Sequence, residues 1–132
     1  MRRLILLGAL CSLLAMAAPA GAAVVATGPG GFTAGFLPPV VVVAEGEGIT
    51  YANADIAPHN FVAMDAFRTK KAAKKAEWCS AYKKGKCPLF WSDTIGMGET
   101  TEVRGLEPVK AGAQYAFFCT LHPNMKGTLV VR

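Results

Sequence analysis

The chain has 132 residues, of which 52% are hydrophobic and 17% are charged, and its formal net charge is +5. This length and composition fit one globular domain and are too hydrophobic for a disordered chain. The chain contains only two histidines, which excludes any site that needs a larger imidazole cluster.

The first 22 residues have the features of an export signal. Arg2 and Arg3 form a positively charged start, an apolar stretch follows at 4–16, and small residues at 18–22 provide cleavage sites. The sequence therefore predicts a signal peptide at 1–22 and a mature domain at 23–132, exported to the periplasm or the extracellular cell envelope. The alternative is an uncleaved anchor, although glycines and prolines after residue 18 interrupt any helix of the about 20 residues that a bilayer requires.

Beyond residue 23, short stretches alternate β-branched or aromatic residues with small ones, which predicts strands separated by glycine- and proline-marked turns. After a flexible glycine-rich segment at 28–31, the predicted strands are 39–44, 48–53, 60–65, 89–95, 100–104, 114–119 and 127–131. This spacing favours an all-β fold, a Greek-key antiparallel β-sandwich. Residues 69–82 lack glycine and proline and are rich in alanine and lysine, which predicts one short helix inserted between strands.

The predicted helix lies in a basic insertion at 68–88. Residues 68–86 contain eight lysines and arginines against one glutamate. Four of these lysines share one helix face, because each is one turn away from another: Lys70, Lys71, Lys74 and Lys75. This face either keeps the protein soluble or steers it toward an acidic partner or a polyanionic surface. Nucleic acid is not expected as a partner, since no pattern of base-stacking aromatic residues accompanies the lysines.

The predicted mature chain keeps three cysteines, Cys79, Cys87 and Cys119. Cys79 and Cys87 flank a short segment, so they can close a disulfide loop that stabilises the fold by about 2.5 kcal/mol in the chain-entropy model. Cys119 is then left over. A spare thiol in an oxidising compartment is a hazard unless it is buried or held as a metal thiolate.

Cys119 begins a C-x2-H-x2-M motif that continues through His122 and Met125. A thiolate, two imidazoles and a distant thioether make a trigonal copper site with a weak axial ligand, because soft sulfur favours Cu(I) and imidazole suits both oxidation states. A turn after a strand that ends at Cys119 can fold His122 and Met125 back toward it. The second imidazole must then be His59, which Pro58 holds at a turn entering a strand.

The motif has three other interpretations. A zinc site prefers nitrogen, oxygen and thiolate ligands, and Met125 is a poor zinc ligand. A nucleophilic pair of Cys119 and His122 would lie on a tight turn with no evident third group to orient it. The last alternative is a core cysteine beside an incidental histidine and methionine. We favour copper, because it uses both histidines of the chain and the methionine in one site.

The chain resembles the cupredoxins, the plastocyanin, pseudoazurin and amicyanin family of blue copper proteins. The similarity covers most of the predicted mature chain and is carried, in the family's order, by residues 36–38, 45–49, 53–55, 58–60, 98–100 and 112–119. The two-residue gap between His122 and Met125 is similar to the short ligand loop of amicyanin.

This resemblance implies one copper ion, with His59, Cys119 and His122 as equatorial ligands and Met125 as the axial ligand. It also implies that Asn60 stiffens the ligand loops and donates a hydrogen bond toward the Cys119 sulfur.

The sequence departs from the family's pattern in two places. Leu121 stands where many relatives have proline, which affects the stiffness of the ligand loop. The insertion at 68–88 is not part of the common core, and it is basic where plant plastocyanins carry an acidic docking patch. A basic flank predicts a partner unlike the partners of plant plastocyanins.

The motif and the resemblance together predict an exported blue copper protein that carries single electrons between redox partners. We do not expect an enzyme, since nitrite reductases and multicopper oxidases need further histidines and this chain has none to spare. The expected form is a monomer without a membrane span after signal cleavage, docking a redox protein with an acidic surface. The alternative function is a copper carrier that binds and delivers the metal without a redox role.

Overall fold

The computed structural model describes residues 21–81 and 86–132. Residues 1–20 of the predicted signal peptide and residue 82, at the end of the predicted helix, lie outside the described residues. Within the described ranges, no helix is long and apolar enough to cross a membrane.

In the part of the chain that the structure describes, eight strands form two four-stranded sheets. The strands are β1 (Ala23–Thr27), β2 (Phe36–Leu37), β3 (Val40–Val43), β4 (Ile49–Asn53), β5 (Val62–Ala63), β6 (Thr100–Glu102), β7 (Gln114–Phe118) and β8 (Lys126–Val131). One sheet has the order β2-β1-β4-β6, and the other has the order β3-β8-β7-β5. The pairs β1 with β4 and β3 with β8 run parallel, and the other pairs are antiparallel. The architecture confirms the predicted β-sandwich.

The core of the sandwich follows from the two-residue period of the strands. In β3, Val41 and Val43 are buried, whereas Val40 and Val42 remain about half exposed. Aromatic rings fill the space between the sheets, and the rings of Phe61 and Phe117 stack with centroids 4.1 Å apart. Contacts of this kind stabilise a core by about 1 kcal/mol beyond the burial of area.

The described residues also form three short helices: α1 (Gly31–Ala34), α2 (Lys70–Lys75) and a 3-10 helix (Glu77–Ala81). The predicted helix at 69–82 is therefore divided in two. The Thr69 side chain accepts a hydrogen bond from the Ala72 amide at 3.2 Å and caps the start of α2. Ala76 has extended dihedral angles that end α2, and the 3-10 helix then brings Cys79 to Cys87.

The basic insertion is closed by a disulfide and packs on the sandwich through a stack of side chains. The Cys79–Cys87 disulfide, which the cysteine spacing predicts, is present with the two Cα atoms 5.4 Å apart. Trp78 of the insertion packs on Trp91 of the body, with ring centroids 5.1 Å apart. The Arg68 guanidinium lies over the Trp78 ring at 5.1 Å and pairs with Glu107. The lysines of α2 project from this fixed base and are exposed.

The predicted strand at 89–95 is wrong, because this segment makes only isolated bridges. Trp91 bridges both Val62 and Arg104, and the Ser92 hydroxyl accepts a hydrogen bond from the Phe61 amide at 2.9 Å. A side chain thus takes the place of a regular ladder partner. The predicted strand at 60–65 shortens to β5, and β1, β2 and α1 are additional elements.

Candidate metal centre

Three donor atoms converge where the loop between β4 and β5 meets the loop between β7 and β8. The Cys119 Sγ lies 3.7 Å from His59 Nδ1 and 3.7 Å from His122 Nδ1, and the two Nδ1 atoms are 3.1 Å apart. The point equidistant from these atoms lies about 2 Å from each, close to the length of a bond from a first-row metal to imidazole nitrogen. The three donors fit a trigonal metal site.

The loop between β7 and β8 is closed by its own backbone. The Cys119 amide donates to the Met125 carbonyl at 3.1 Å, and the Met125 amide donates to the His122 carbonyl at 2.8 Å. Met125 is 1% exposed and belongs to the same core cluster as Cys119. Gly127 allows this packing, since a Cβ there would collide with the Phe117 ring. The predicted axial residue is therefore buried on the loop that carries Cys119 and His122.

His59 is fully buried and its backbone is fixed on both sides. Its amide donates to the Ile95 carbonyl at 3.1 Å, and the Ile95 amide donates back to the His59 carbonyl at 2.9 Å. The Asn53 side-chain amide donates to the carbonyls of Ala57 and Ile95 at 2.8 and 3.1 Å. These bonds hold the segment that carries His59 against the end of β4.

The outer nitrogen of His59 is bonded to a buried carboxylate. With Nδ1 turned toward the triangle, Nε2 carries the proton and donates to Asp55 Oδ2 at 2.8 Å. The same carboxylate accepts from the amides of Gly30 at 3.1 Å, Gly31 at 3.2 Å and Ile56 at 2.9 Å. The hydrogen bond from His59, aided by those from the Gly30 and Ile56 amides, holds the pKa of Asp55 below its usual value. Asp55 is therefore anionic at neutral pH.

Asn60 links the two ligand loops. Its side-chain amide donates to the hydroxyl of Thr120 at 2.7 Å and to that of Thr94 at 3.2 Å, and its carbonyl accepts from the Thr120 amide at 2.9 Å. The two bonds to Thr120 tie the loop that carries His59 to the loop that carries Cys119. Among the described side-chain bonds, its amide donates to these hydroxyls and not to the Cys119 sulfur.

His122 is the imidazole of the triangle that is partly open to solvent. The exposed Phe32 ring of α1 lies 6.3 Å from the His122 ring, at an angle of 37°. Leu121 is 49% exposed and Pro123 is also exposed, so His122 has an apolar residue on each side in the chain. The site is therefore open to solvent at His122, within an apolar rim.

Asp55 and Phe32 are not among the site residues that the sequence predicts. The four-residue spacing from Asp55 to His59, in a turn before Pro58, was the available signal for a carboxylate that supports the imidazole. Phe32 gave no comparable signal, because its approach to His122 spans 90 residues of sequence and depends on the position of α1. The lysines of α2 belong to the insertion and contribute no donor to the triangle.

The fold and the donor set together define a β-sandwich protein with a mononuclear site of one thiolate and two imidazoles. Residues 23–132 match the family model described as copper binding proteins, plastocyanin/azurin family. The chain belongs to this family of copper-binding proteins, and its cofactor is one copper ion. No curated protein sequence matches the chain.

Solved structures are similar at the level of the fold. A purple cupredoxin from Nitrosopumilus maritimus superposes with a TM-score of 0.58 and 19% identity, over 83% of this chain and 99% of that one. A reduced tryptophan-to-tyrosine variant of amicyanin gives 0.55 and 23% identity, over 88% of this chain and 87% of that one. An oxidised methionine-to-leucine variant of amicyanin gives 0.56 and 21%, over 84% and 82%.

Proposed function

We propose that this protein is a blue copper electron carrier in which His59, Cys119 and His122 are equatorial ligands and Met125 is the axial ligand. The observation that carries the proposal is the triangle of one sulfur and two nitrogens, whose centre lies about 2 Å from each atom. Soft sulfur with imidazole suits copper better than zinc, since a thioether is a poor zinc ligand.

The protein's own bonds support rapid electron exchange. Bound copper supplies a one-electron couple between Cu(I) and Cu(II). Cys119 is held by the Met125 carbonyl and His59 by Asp55, so both donors keep their positions when the charge at the site changes. Donors that move little minimise the reorganisation that accompanies each transfer.

The position of His122 supports a role as the electron port. His59 and Cys119 are fully buried, whereas His122 is partly exposed beside Leu121 and Phe32. An apolar rim around one imidazole gives a partner a dry contact close to the metal. This arrangement suits short-lived docking, in which a small contact is sufficient for one electron to pass.

We also propose a carrier rather than an enzyme, an exported location and an acidic partner. Both histidines of the chain lie in one site, so no further metal centre can draw on an imidazole. The predicted signal peptide supports export to the periplasm or the extracellular envelope, where the protein acts as a monomer. The exposed lysines of α2 support docking to a redox protein with an acidic surface.

The test compares electron transfer with copper delivery. The purified protein is expected to bind one copper, to show an intense blue absorption, and to cycle between oxidation states without losing metal to a competing copper chelator. A colourless protein that exchanges copper readily with the chelator would contradict the proposal and favour the copper-carrier alternative. Copper analysis and intact mass of the secreted protein would also locate the cleavage site.

A further inference from the structure

Asp55 joins two segments at the copper-binding end, the end of the sandwich formed by the loop between β4 and β5 and the loop between β7 and β8: residues 30–31 and its own loop at 55–59. It is the only buried carboxylate among the residues that the structure describes, and it is 3% exposed. Its two oxygens accept hydrogen bonds from four donors: the amides of Gly30, Gly31 and Ile56, and Nε2 of His59. One side chain therefore holds a metal-site histidine and the start of α1 together.

The position of α1 depends on that carboxylate. A four-residue helix has too few internal hydrogen bonds to be stable alone, so contacts with the body must hold it. Gly31 packs so closely that an added Cβ would collide with the Thr27 side chain and lie 3.4 Å from Asp55 Oδ2. The next residue is Phe32, whose ring lies 6.3 Å from that of His122. A displacement of Gly31 would thus move the ring that neighbours His122.

We propose that Asp55 is a positioning residue for both imidazoles of the site, acting on His59 directly and on His122 through α1 and Phe32. The inference rests on the proposed roles of the two histidines as copper ligands. Asp55 contributes its negative charge next to His59, and this favours the more highly charged Cu(II) form. It also keeps Phe32 against His122, which limits movement of the exposed imidazole.

The Asp55→Asn substitution tests the proposal with little change in volume. Four N–H donors point at the two carboxylate oxygens, but an amide has one oxygen and one donor group. Either orientation of the amide therefore opposes donors to donors, at His59 in one case and at backbone amides in the other. The substitution also removes the negative charge.

We expect two results from Asp55→Asn. In the copper-free protein, amide hydrogen exchange at Gly30 and Gly31 becomes at least about tenfold faster, because their acceptors are weakened. In the copper protein, the affinity for Cu(II) falls about tenfold to a hundredfold relative to that for Cu(I), the usual cost of losing a carboxylate behind a metal-bound histidine. Each tenfold difference raises the reduction potential by about 59 mV.

Two further variants separate the effect of Asp55 on His59 from its effect on His122 through α1 and Phe32. Gly31→Ala displaces α1 without removing the negative charge of Asp55, and Phe32→Ala removes the ring alone. Both are expected to speed copper loss to a chelator by about fivefold, roughly the value of one aromatic contact. Neither is expected to raise the potential as Asp55→Asn does. The Phe32→Leu variant, which keeps an apolar side chain, is expected to recover most of the retention.

Several outcomes would overturn the proposal. The first is that the Asp55→Asn variant folds and binds copper, with the reduction potential of the wild type and wild-type rates of amide hydrogen exchange at Gly30 and Gly31. Another is a loss of thermal stability with no change in potential, which would mean a structural role only. If Asp55→Asn does not fold, a wild-type rate of copper loss in both Gly31→Ala and Phe32→Ala would refute the α1 arm. Failure of the wild type to bind copper would refute the proposed function instead, and the exchange experiment would still test the bonds of Asp55.

Discussion

The copper-binding end and the insertion at 68–88 differ in how tightly their polar side chains are held. At the copper-binding end, Asp55 accepts four hydrogen bonds and Asn60 makes three. In the insertion, the four lysines of α2 have no ion-pair partner within the described ranges. The first region acts through fixed atomic positions. The second presents a charge on a fixed base, so its effect depends on the electric field and not on exact geometry.

The largest expected effect is the loss of the metal chromophore in Cys119→Ser. A hydroxyl oxygen cannot replace the soft thiolate, so we expect complete loss of the intense blue absorption. The measurement is the visible spectrum of the protein after copper addition. A variant that keeps the wild-type band would show that Cys119 is not the thiolate ligand and that the copper assignment is wrong.

Met125→Leu tests the proposed axial ligand at the copper-binding end. An axial thioether is a weak ligand, so the variant is expected to keep one copper while its reduction potential shifts. Met97→Leu is the matched control, because Met97 is 63% exposed. Voltammetry of both variants checks the result. Complete loss of copper from Met125→Leu would contradict the proposed division between equatorial and axial ligands.

The buried hydroxyl of Tyr51 allows the cost of placing a charge in the core to be measured. Its hydroxyl is fully buried and lies 2.6 Å from that of Thr27, and burial raises the pKa of Tyr51 to about 12. The native state therefore holds the proton more tightly than the unfolded chain does. This stabilisation is complete below pH 10 and is lost as the pH rises from about 10 through 12.

The expected result is a difference in alkaline stability between the wild type and Tyr51→Phe. Over that pH range the wild type should lose about 3 kcal/mol of unfolding free energy that the variant does not lose. At pH 7 the variant should be less stable by about 1 kcal/mol, the usual value of a lost hydrogen bond. Denaturant titrations at several pH values measure both, with Tyr115→Phe as the control. Parallel pH profiles for wild type and Tyr51→Phe would contradict the prediction.

The double variant Cys79→Ser with Cys87→Ser tests the base of the insertion. Opening this loop is expected to lower the free energy of unfolding by about 2.5 kcal/mol, while the copper spectrum stays unchanged. Equilibrium denaturation and the visible spectrum are the two measurements. A changed spectrum would show that the insertion and the copper-binding end are coupled, and it would contradict the separate roles of the two regions.

Local patterns in the sequence identified the elements that depend on local rules. The strands predicted at 39–44, 48–53, 114–119 and 127–131 correspond to β3, β4, β7 and β8, because their alternation of buried and exposed residues is intact. The residues of the C-x2-H-x2-M motif lie on one closed loop because they are close together in the chain. Spacing in the chain was sufficient for these features.

The features that the sequence did not reveal depend on contacts between distant residues. The glycines at 28–31 predict a flexible segment. In the structure, however, the Asp55 carboxylate accepts hydrogen bonds from the Gly30 and Gly31 amides, more than 20 residues away in the chain, at the start of α1. The segment at 89–95 has the composition of a strand, yet Ser92 bonds the Phe61 amide with its side chain. Alternation within a segment carries no information about either contact.

The smallest expected effect concerns the lysines, where charge and geometry can be separated. At physiological salt the Debye length is about 8 Å, so the α2 lysines act on a reactant only at close approach. Reversal of Lys70, Lys71, Lys74 and Lys75 to Glu is expected to leave the copper spectrum unchanged. It should slow electron exchange with an anionic oxidant, hexacyanoferrate(III), about threefold to tenfold, and speed exchange with a cationic cobalt complex.

The salt dependence distinguishes docking from solubility. If the lysines steer the encounter, the rate with the anionic oxidant falls as salt is added to the wild type, and it rises with salt in the reversed variant. The matched set in which the same four lysines become Gln should lie between the two, because it removes the charges without reversing them. Stopped-flow rates at three ionic strengths measure the slopes. Equal slopes in all three proteins would mean that the lysines only solubilise the insertion, since a field that acts on the electron port must change with the charges that produce it.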